Sequence, residues 1–454
     1  MSLPLRPGAE RESYRLQRPI AAGGRPTGPS DTTDGAPGNW SVPGAPGYGV
    51  AIVRVLLMSP VAGVDPPGGD IAYTGSLLAR PPDGVTYTTY VDALAEGSLV
   101  ERGRRPGHGR VGPTDAAVLA ARVVEHGLRR TGLLYREPYR YLTVAPDAFD
   151  LVHAHLFPVR LLGHPLPLVT SSGMPLPVLY EDRFGWSHRH VEAATRVERL
   201  LSTVLGTEVS WFPPRRAGIT MVQSDHYRDR LLGAGAAPER VVTQALGIEG
   251  RAGTPRTGPP RTVGFVSTVF EEKGGPTVLA AFAGLVAAHP GARLVVVGTP
   301  PRRLDPVLPA GSVEWLGRVP RQELLETVYP RIDVLALPTA CDSGTPYVVL
   351  EALQRGIPVV ASDLPWLDEG LTGAGVRRVP AGPGPVRAAL WALFDPGAYA
   401  AASRSAVGLW SARYSMEVVA AQVGATYRSA LAAGPLGAPT GGRGRRWDVL
   451  GTGR

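Results

Sequence analysis

Chemistry in this sequence is concentrated in four short runs, the densest of them residues 338–363, PTACDSGTPYVVLEALQRGIPVVASD. Thr345 and Pro346 read as a helix-entry pair: the hydroxyl can accept an orphan backbone N–H, and proline has none to satisfy. The small turn before them, Cys341 to Gly344, lets another molecule approach those amides. A helix start at the C-terminal edge of a parallel sheet is a seat for phosphate oxygens. Glu351 lies one to two turns inside that helix, where a carboxylate could reach a ligand held over its N-terminus. Lys273 stands beside 46 arginines as the chain's one lysine. It follows a strand and precedes Gly274 and Gly275, where an ammonium can neutralise a diphosphate leaving group; a solvated lysine beside Glu271 and Glu272 is the plain alternative. In FDLVHAH, residues 149–155, strand alternation puts His153 and His155 on one face, with His155 nearer the ligand-binding edge. Neither a second histidine at helical spacing nor a cysteine cluster accompanies them, so no metal is expected, and a histidine donating to a phosphate or sugar oxygen is the better use. Gly68 and Gly69, before a predicted helix, either expose amides to a substrate or simply make a turn.

The elements that must position these residues are set by length and pattern. A chain of 454 residues with 44% hydrophobic residues, 57 glycines and 46 prolines can bury two or three cores joined by many turns. Its net charge of +8 comes with arginine in place of lysine almost throughout, a compositional habit that does not argue for nucleic acid. A phosphorylated substrate or peripheral contact with an anionic membrane fits the charge as well. The arginines at 129, 130, 136 and 140 read first as a solvated face. Cys341 alone cannot form an intrachain disulfide. No apolar stretch reaches membrane-spanning length and no charged-then-apolar leader opens the chain, so a cytoplasmic protein is expected.

Residues 1–50 and 433–454 read as disordered ends rich in Gly, with Pro, Ser and Thr in the first and Arg in the second. Residues 51–250 form an expected N-terminal domain, with strands at 51–58, 85–91, 149–155, 166–170 and 218–224 and helices at 71–79, 114–129, 191–205 and 226–232. Residues 251–260 make a linker. Residues 261–405 form an expected second domain with strands at 261–266, 293–297, 332–337 and 358–361 and helices at 275–288, 322–329 and 383–394. Residues 406–432 supply a closing helix that crosses back to the first domain. Such alternation calls for the α/β class, with two Rossmann-like doubly wound parallel sheets facing a cleft. No GxGxxG turn follows either first strand, which argues against a dinucleotide-dependent oxidoreductase.

Taken in order, the runs resemble glycosyltransferase family 4, retaining nucleotide-sugar enzymes of the GT-B fold, over roughly residues 52–430. Gly68-Gly69 is similar to that family's glycine-rich acceptor-side loop. FDLVHAH resembles its histidine strand, and Phe270 to Gly274, FEEKG, its phosphate-lysine segment. Residues 220–249 are similar to its strand, serine and helix, ending in Gly247-Ile248-Glu249. The stretch from Gly344 to Ser362 resembles the region of the terminal motif glutamate, which falls on Glu351. The family's arginine five positions before the lysine falls on Thr268, and its first motif glutamate on Ser343, with Asp342 adjacent. The polar loop at 171–173 lacks the histidine often found there.

The resemblance implies roles at the matching positions only. Lys273 would bind the donor diphosphate, with the segment Gly344, Thr345, Pro346 and Tyr347 receiving its oxygens. Glu351 would hold the ribose, His155 would contact the transferred sugar, and Asp342 could face sugar hydroxyls. Gly68 and Gly69 would border acceptor and diphosphate; Thr268 and Ser343 would face the same site. The expected activity is a metal-independent hexosyl transfer, in carbohydrate or specialised-metabolite biosynthesis. It would run from a UDP- or GDP-sugar to a hydroxyl acceptor that is a small molecule, a polysaccharide or a lipid-linked group, with no tightly bound cofactor and no nucleic acid. A non-catalytic nucleotide-sugar-binding partner protein and a phosphorylase-like enzyme using a sugar phosphate are the alternatives of the same fold.

Overall fold

The computed structural model describes residues 52–433, apart from 61–68, 104–111, 137, 146, 164–165, 211–217, 300–307 and 341–343. Both chain ends expected to be disordered lie outside these residues except for Ala433, the C-cap of the last helix, and so do Gly68, Asp342 and Ser343 among the expected site residues.

The first half opens with β1 (Val53–Met58), α1 (Gly69–Ala79), β2 (Val85–Thr89), α2 (Tyr90–Glu96), β3 (Leu99–Glu101) and α3 (Pro113–Arg130). It continues through β4 (Arg140–Val144), β5 (Leu151–His155), β6 (Val159–Leu162), β7 (Leu168–Ser172), α4 (Leu176–Asp182) and α5 (His188–Val204). β8 (Thr207–Val209), β9 (Gly218–Val222), α6 (Asp225–Gly233) and β10 (Val241–Thr243) complete it. The second half runs β11 (Thr262–Val266), α7 (Gly275–Ala288), β12 (Arg293–Val297), β13 (Val313–Gly317), α8 (Arg321–Glu323) and β14 (Val334–Leu337). After it come α9 (Tyr347–Gln354), β15 (Val359–Ser362), β16 (Val376–Val379), α10 (Pro383–Leu393), α11 (Pro396–Leu409) and α12 (Met416–Ala432).

Two six-stranded sheets carry the architecture, in the orders β10-β9-β7-β5-β1-β2 and β13-β12-β11-β14-β15-β16. Every pairing within both is parallel. The apolar runs explain this: β1, β5, β9, β12 and β14 are buried along most or all of their length, as strands covered on both faces must be. In each sheet the chain starts at an interior strand, builds outward on one side, then returns and builds on the other. The order therefore reverses between β1 and β5 and again between β11 and β14. Those two reversals open crevices at the carboxyl ends of the strands, the places where such sheets receive ligands.

A third sheet, β3-β4-β6-β8, was not expected. It mixes antiparallel and parallel pairings, and its strands are only three to five residues long. Its core holds Arg160, fully buried on β6. The guanidinium lies 3.0 Å from Glu125 of α3, pairs closely with Glu198 of α5, and donates to Ser202 and Thr207. Satisfaction of nearly every donor is what allows a charge there. The expected solvated arginine face also needs correction at two positions: Arg129 pairs with buried Glu125 at 2.7 Å, and Arg140 lies over the rings of Tyr90 and Phe157. The helix expected over 322–329 is instead a single α-turn, a π-turn over Leu324–Val328 and a 3-10 turn over Tyr329–Arg331. Pro330, just beyond the expected segment, lacks the N–H that a continuing helix requires.

The halves are joined by more than the linker. α12 packs on β7, β9 and α1 of the first half, and one core cluster runs from Val55 and Tyr73 through the second sheet to Tyr427. Gly253 within the linker donates to the Gln354 carbonyl, and a Cβ there would touch the Arg355 backbone, so the linker lies flat against the end of α9.

Candidate active site

The second sheet's reversal brings together the loops that follow β11 and β14. Ala340 N–H and the Thr339 hydroxyl both donate to the carbonyl of Glu272, at 3.0 and 3.3 Å. Gly274 adopts φ 83°, and a Cβ there would collide with the carbonyl oxygen of Pro338. Glycine is required on both counts, conformation and space. The turn bearing half-buried Lys273 is thereby pinned beside the segment that leads into α9. Thr268, two residues past β11, is exposed and brings no cation to this edge.

The entry to α9 differs from expectation by one residue. The helix begins at Tyr347, its N-cap is Pro346 in extended conformation, and no side chain caps it. Thr345 does not serve as the cap because its hydroxyl is drawn to Asp368, which is buried, at 3.3 Å. Thr345 N–H donates to the side-chain oxygen of Gln223 at the end of β9, 2.9 Å away, and a Cβ on Gly344 would strike the same glutamine. One amide expected to receive phosphate is thus held by the first half. The Tyr347 hydroxyl bonds Ser76 of α1 at 2.9 Å and donates to the Gly247 carbonyl at 3.0 Å, so this side chain clasps the halves together.

Glu351 is almost fully buried one turn into α9. The Tyr329 hydroxyl donates to its Oε2 at 2.7 Å, and Arg321 Nη1 lies 2.5 Å from Oε1, an ion pair by distance but without hydrogen-bond alignment. Burial, reinforced by this carboxylate, raises the Tyr329 phenol well above its ordinary range and keeps it a donor. Arg321 is half exposed and lies over the Tyr347 ring. It also lines a cavity of about 360 Å³, together with Ile71, Gly75 and Ser76 of α1 and Gln354 and Arg355 near Glu351. The carboxylate expected to hold a ribose therefore sits behind the long Arg321 side chain, which borders open space.

At the first sheet's reversal, His155 ends β5 and Gly69 begins α1. His153 and His155 do share a face: Ser171 Oγ on the neighbouring β7 bonds both, at 2.8 Å to His153 Nε2 and 2.7 Å to His155 Nδ1. The other nitrogen of His153 meets the Tyr427 hydroxyl of α12 at 2.7 Å, and that hydroxyl meets Tyr87 at 3.0 Å. The Tyr73 ring of α1 packs 4.9 Å from His155. Leu156, directly after His155, is the only non-glycine residue with positive φ among the described residues, at 48°. Strain of this kind at a strand end is characteristic of functional sites.

The halves also meet beside these edges. Asp225 and His226 N–H groups at the start of α6 donate to the Glu369 carboxylate at 3.1 and 3.3 Å, and Arg183 pairs with Glu272 at 3.0 Å. Four residues now join the site that sequence reasoning had not placed there: Gln223, Arg321, Tyr329 and Tyr427. Ser171, in the stretch whose sequence predicts a polar loop, lies within β7, and its register opposite His155 on adjacent strands is the signal that reveals its role. Among the described residues, no group of three His, Cys, Asp or Glu side chains could hold a metal ion, and no helix is long and apolar enough to cross a membrane.

Residues 260–391 match the family described as glycosyl transferases group 1. No curated protein matches the sequence. Among solved structures, sucrose-phosphate synthase from Thermosynechococcus elongatus is similar with a TM-score of 0.53 at 16% identity, over 84% of this chain and 100% of that one. HepE of Anabaena, solved in complex with UDP and glucose, is similar with a TM-score of 0.50 at 15% identity, over 83% of this chain and 100% of that one. At such identities the likeness is one of fold, and it agrees with the two parallel sheets and their facing edges: the chain has the GT-B fold.

Proposed function

We propose that this chain is a retaining glycosyltransferase of the family 4 kind, moving a sugar from a nucleoside-diphosphate sugar to a hydroxyl acceptor. The observation that carries the reading is the placement of both candidate clusters at the order reversals of two parallel sheets: His155 and Gly69 on one, Lys273 and the start of α9 on the other. The match of residues 260–391 to glycosyl transferases group 1 supports it from the donor side, and the solution of HepE with UDP and glucose supports the ligand class.

In this reading the nucleoside occupies the cavity beside Arg321 and Glu351, and the diphosphate lies between Lys273 and the amides at the start of α9. Glu351 receives the ribose hydroxyls once Arg321 swings aside, while Tyr329 keeps the carboxylate in place. The bond from the sugar's anomeric carbon to the diphosphate oxygen breaks and its electron pair goes to the diphosphate. Lys273 and the helix dipole stabilise that charge as it develops. The acceptor oxygen bonds the same face of the carbon, and its proton passes to the departing phosphate. His155 holds a sugar oxygen during the transfer. The same reading assigns donor-side roles to Asp342 and Ser343 and an acceptor-side role to Gly68, in a cytoplasmic protein.

Calorimetric titration of UDP, GDP, TDP and ADP into the protein and its Lys273→Ala variant tests the reading. Selective binding of one nucleotide, weakened at least about tenfold in the variant, is expected from the loss of a charged contact to phosphate. Binding of none of the four by folded protein would overturn it. A non-catalytic nucleotide-sugar-binding role has one observation in its favour, the neutral Thr268 at the position of the second diphosphate cation. Donor binding without transfer across a broad set of hydroxyl acceptors would establish that role instead.

A further inference from the structure

Five side chains form a single file of hydrogen bonds: Tyr87 to Tyr427 at 3.0 Å, Tyr427 to His153 at 2.7 Å, His153 to Ser171 at 2.8 Å and Ser171 to His155 at 2.7 Å. Both histidines are fully buried and Ser171 nearly so. The file connects the closing helix α12 to the strand end at the first sheet's reversal, and the proposed transfer chemistry uses only its last member. We infer that Tyr427, His153 and Ser171 are positioning residues that fix His155 in the tautomer carrying its proton on Nε2.

Each hydroxyl has one proton to give, and a neutral imidazole has one donor and one acceptor nitrogen. Ser171 Oγ lies between two ring nitrogens, so it donates to one and accepts from the other. Tyr427 likewise gives its proton either to His153 or to Tyr87. The file therefore has two self-consistent polarities. In the first, Tyr427 donates to His153 Nδ1, His153 Nε2–H donates to Ser171, Ser171 donates to His155 Nδ1, and the proton of His155 is on Nε2. In the second, every proton is reversed and His155 is protonated on Nδ1.

The two differ in quality at one link. The serine links are alike in both, an alkyl hydroxyl giving to one imidazole and receiving from the other. At the tyrosine link, the first polarity pairs an acidic phenol O–H with a basic imidazole nitrogen, whereas the second asks a phenol oxygen, a poor acceptor, to receive an imidazole N–H. The first polarity is favoured, and the preference set at Tyr427 is passed through His153 and Ser171 to His155. Burial, with the neighbouring His155 charge second, lowers His153 to about 3, so His153 is neutral near pH 7 and has one donor and one acceptor nitrogen to offer the file.

The catalytic consequence rests on the transfer reading: His155 would present an N–H donor to a sugar or phosphate oxygen, and never a lone pair. The tautomer itself does not depend on that reading, so the two are tested separately. Long-range proton–nitrogen spectra of the full chain with ¹⁵N-labelled histidine, assigned with the His155→Gln and His153→Gln variants, report it directly. The expected result is protonation at Nε2 in both His153 and His155. Protonation of His155 at Nδ1 would overturn the inference. In Ser171→Ala the His155 signals should move to the averaged positions of mixed tautomers, with Ser171→Thr restoring the original pattern and Tyr427→Phe intermediate. In the transfer assay, Ser171→Ala should lower kcat by on the order of tenfold while leaving nucleotide Kd unchanged, and Ser171→Thr should recover it. An unchanged kcat in Ser171→Ala would refute the positioning role and leave the transfer reading standing. Absence of transfer in the unaltered protein would refute the reading, and the spectra would still decide the tautomer.

Discussion

Burying a carboxylate is costly without polar partners, and Glu351 has two of different kinds: the Tyr329 hydroxyl, which donates to it, and Arg321, which pairs with it by distance. Tyr329 is fully buried and permanent, whereas Arg321 is half exposed beside the cavity. This asymmetry separates structure from function at a single residue. In Glu351→Gln the amide oxygen can still accept from Tyr329, so the melting temperature should fall only slightly. Nucleotide binding should weaken by roughly ten- to a hundredfold, because a hydrogen bond to a charged group contributes about 1.5–3 kcal/mol. Thermal melts and calorimetry on the one variant check both halves of this expectation. A large stability loss with unchanged affinity would assign Glu351 to the core alone.

At the scale of elements, the site depends on two loops being held against each other. The turn after β11 cannot move from the end of β14 because Gly274 uses a left-handed conformation and leaves no room for a Cβ against Pro338. Gly274→Ala should cost about 1–2 kcal/mol for the backbone alone, with the displacement of the Pro338 carbonyl in addition. Urea unfolding should show that loss. The same variant should bind nucleotide more weakly, since Lys273 is the adjacent residue. Full stability and full affinity in the alanine variant would mean that the turn does not set the position of Lys273. On the other side, Tyr347 and Gln223 show how the entry of α9 is held by the first half, so the seat expected for phosphate is built by both halves.

At the scale of the whole molecule, α12 returns to the first half and places Tyr427 behind His153, which makes a buried neutral histidine part of the joint. The ordinary histidine value is 6.5, and burial takes His153 to about 3. Between those values the unfolded chain binds a proton that the folded chain does not. The histidine's contribution is therefore complete above about pH 6.5 and is lost as pH falls through that interval, by up to about 1.4 kcal/mol per unit. Urea unfolding at pH 7, 6, 5 and 4 should show the unaltered protein losing stability more steeply than His153→Gln. Parallel curves would show that His153 takes up a proton in the folded state.

What the sequence by itself determined is what neighbours along the chain decide. Apolar runs of four to six residues marked the strands, glycine and proline marked their ends, and alternation put His153 and His155 on one face. The positions of Lys273 after a strand and of Glu351 inside a helix were legible for the same reason. The α/β alternation carried the two parallel sheets, since parallel strands need crossovers and their order has few alternatives. The four-stranded small sheet escaped because its strands are too short for a period to show and because one of them buries an arginine. Only the tertiary structure decided the partners: Gln223 on Thr345 across 122 positions, Tyr427 on His153 across 274, and Arg321 on Glu351. Such pairs leave no local period or spacing. The first two exist because two halves with separate sheets close on each other, and the third joins two elements of the second half; contact depends on distance in space, whatever the separation along the chain.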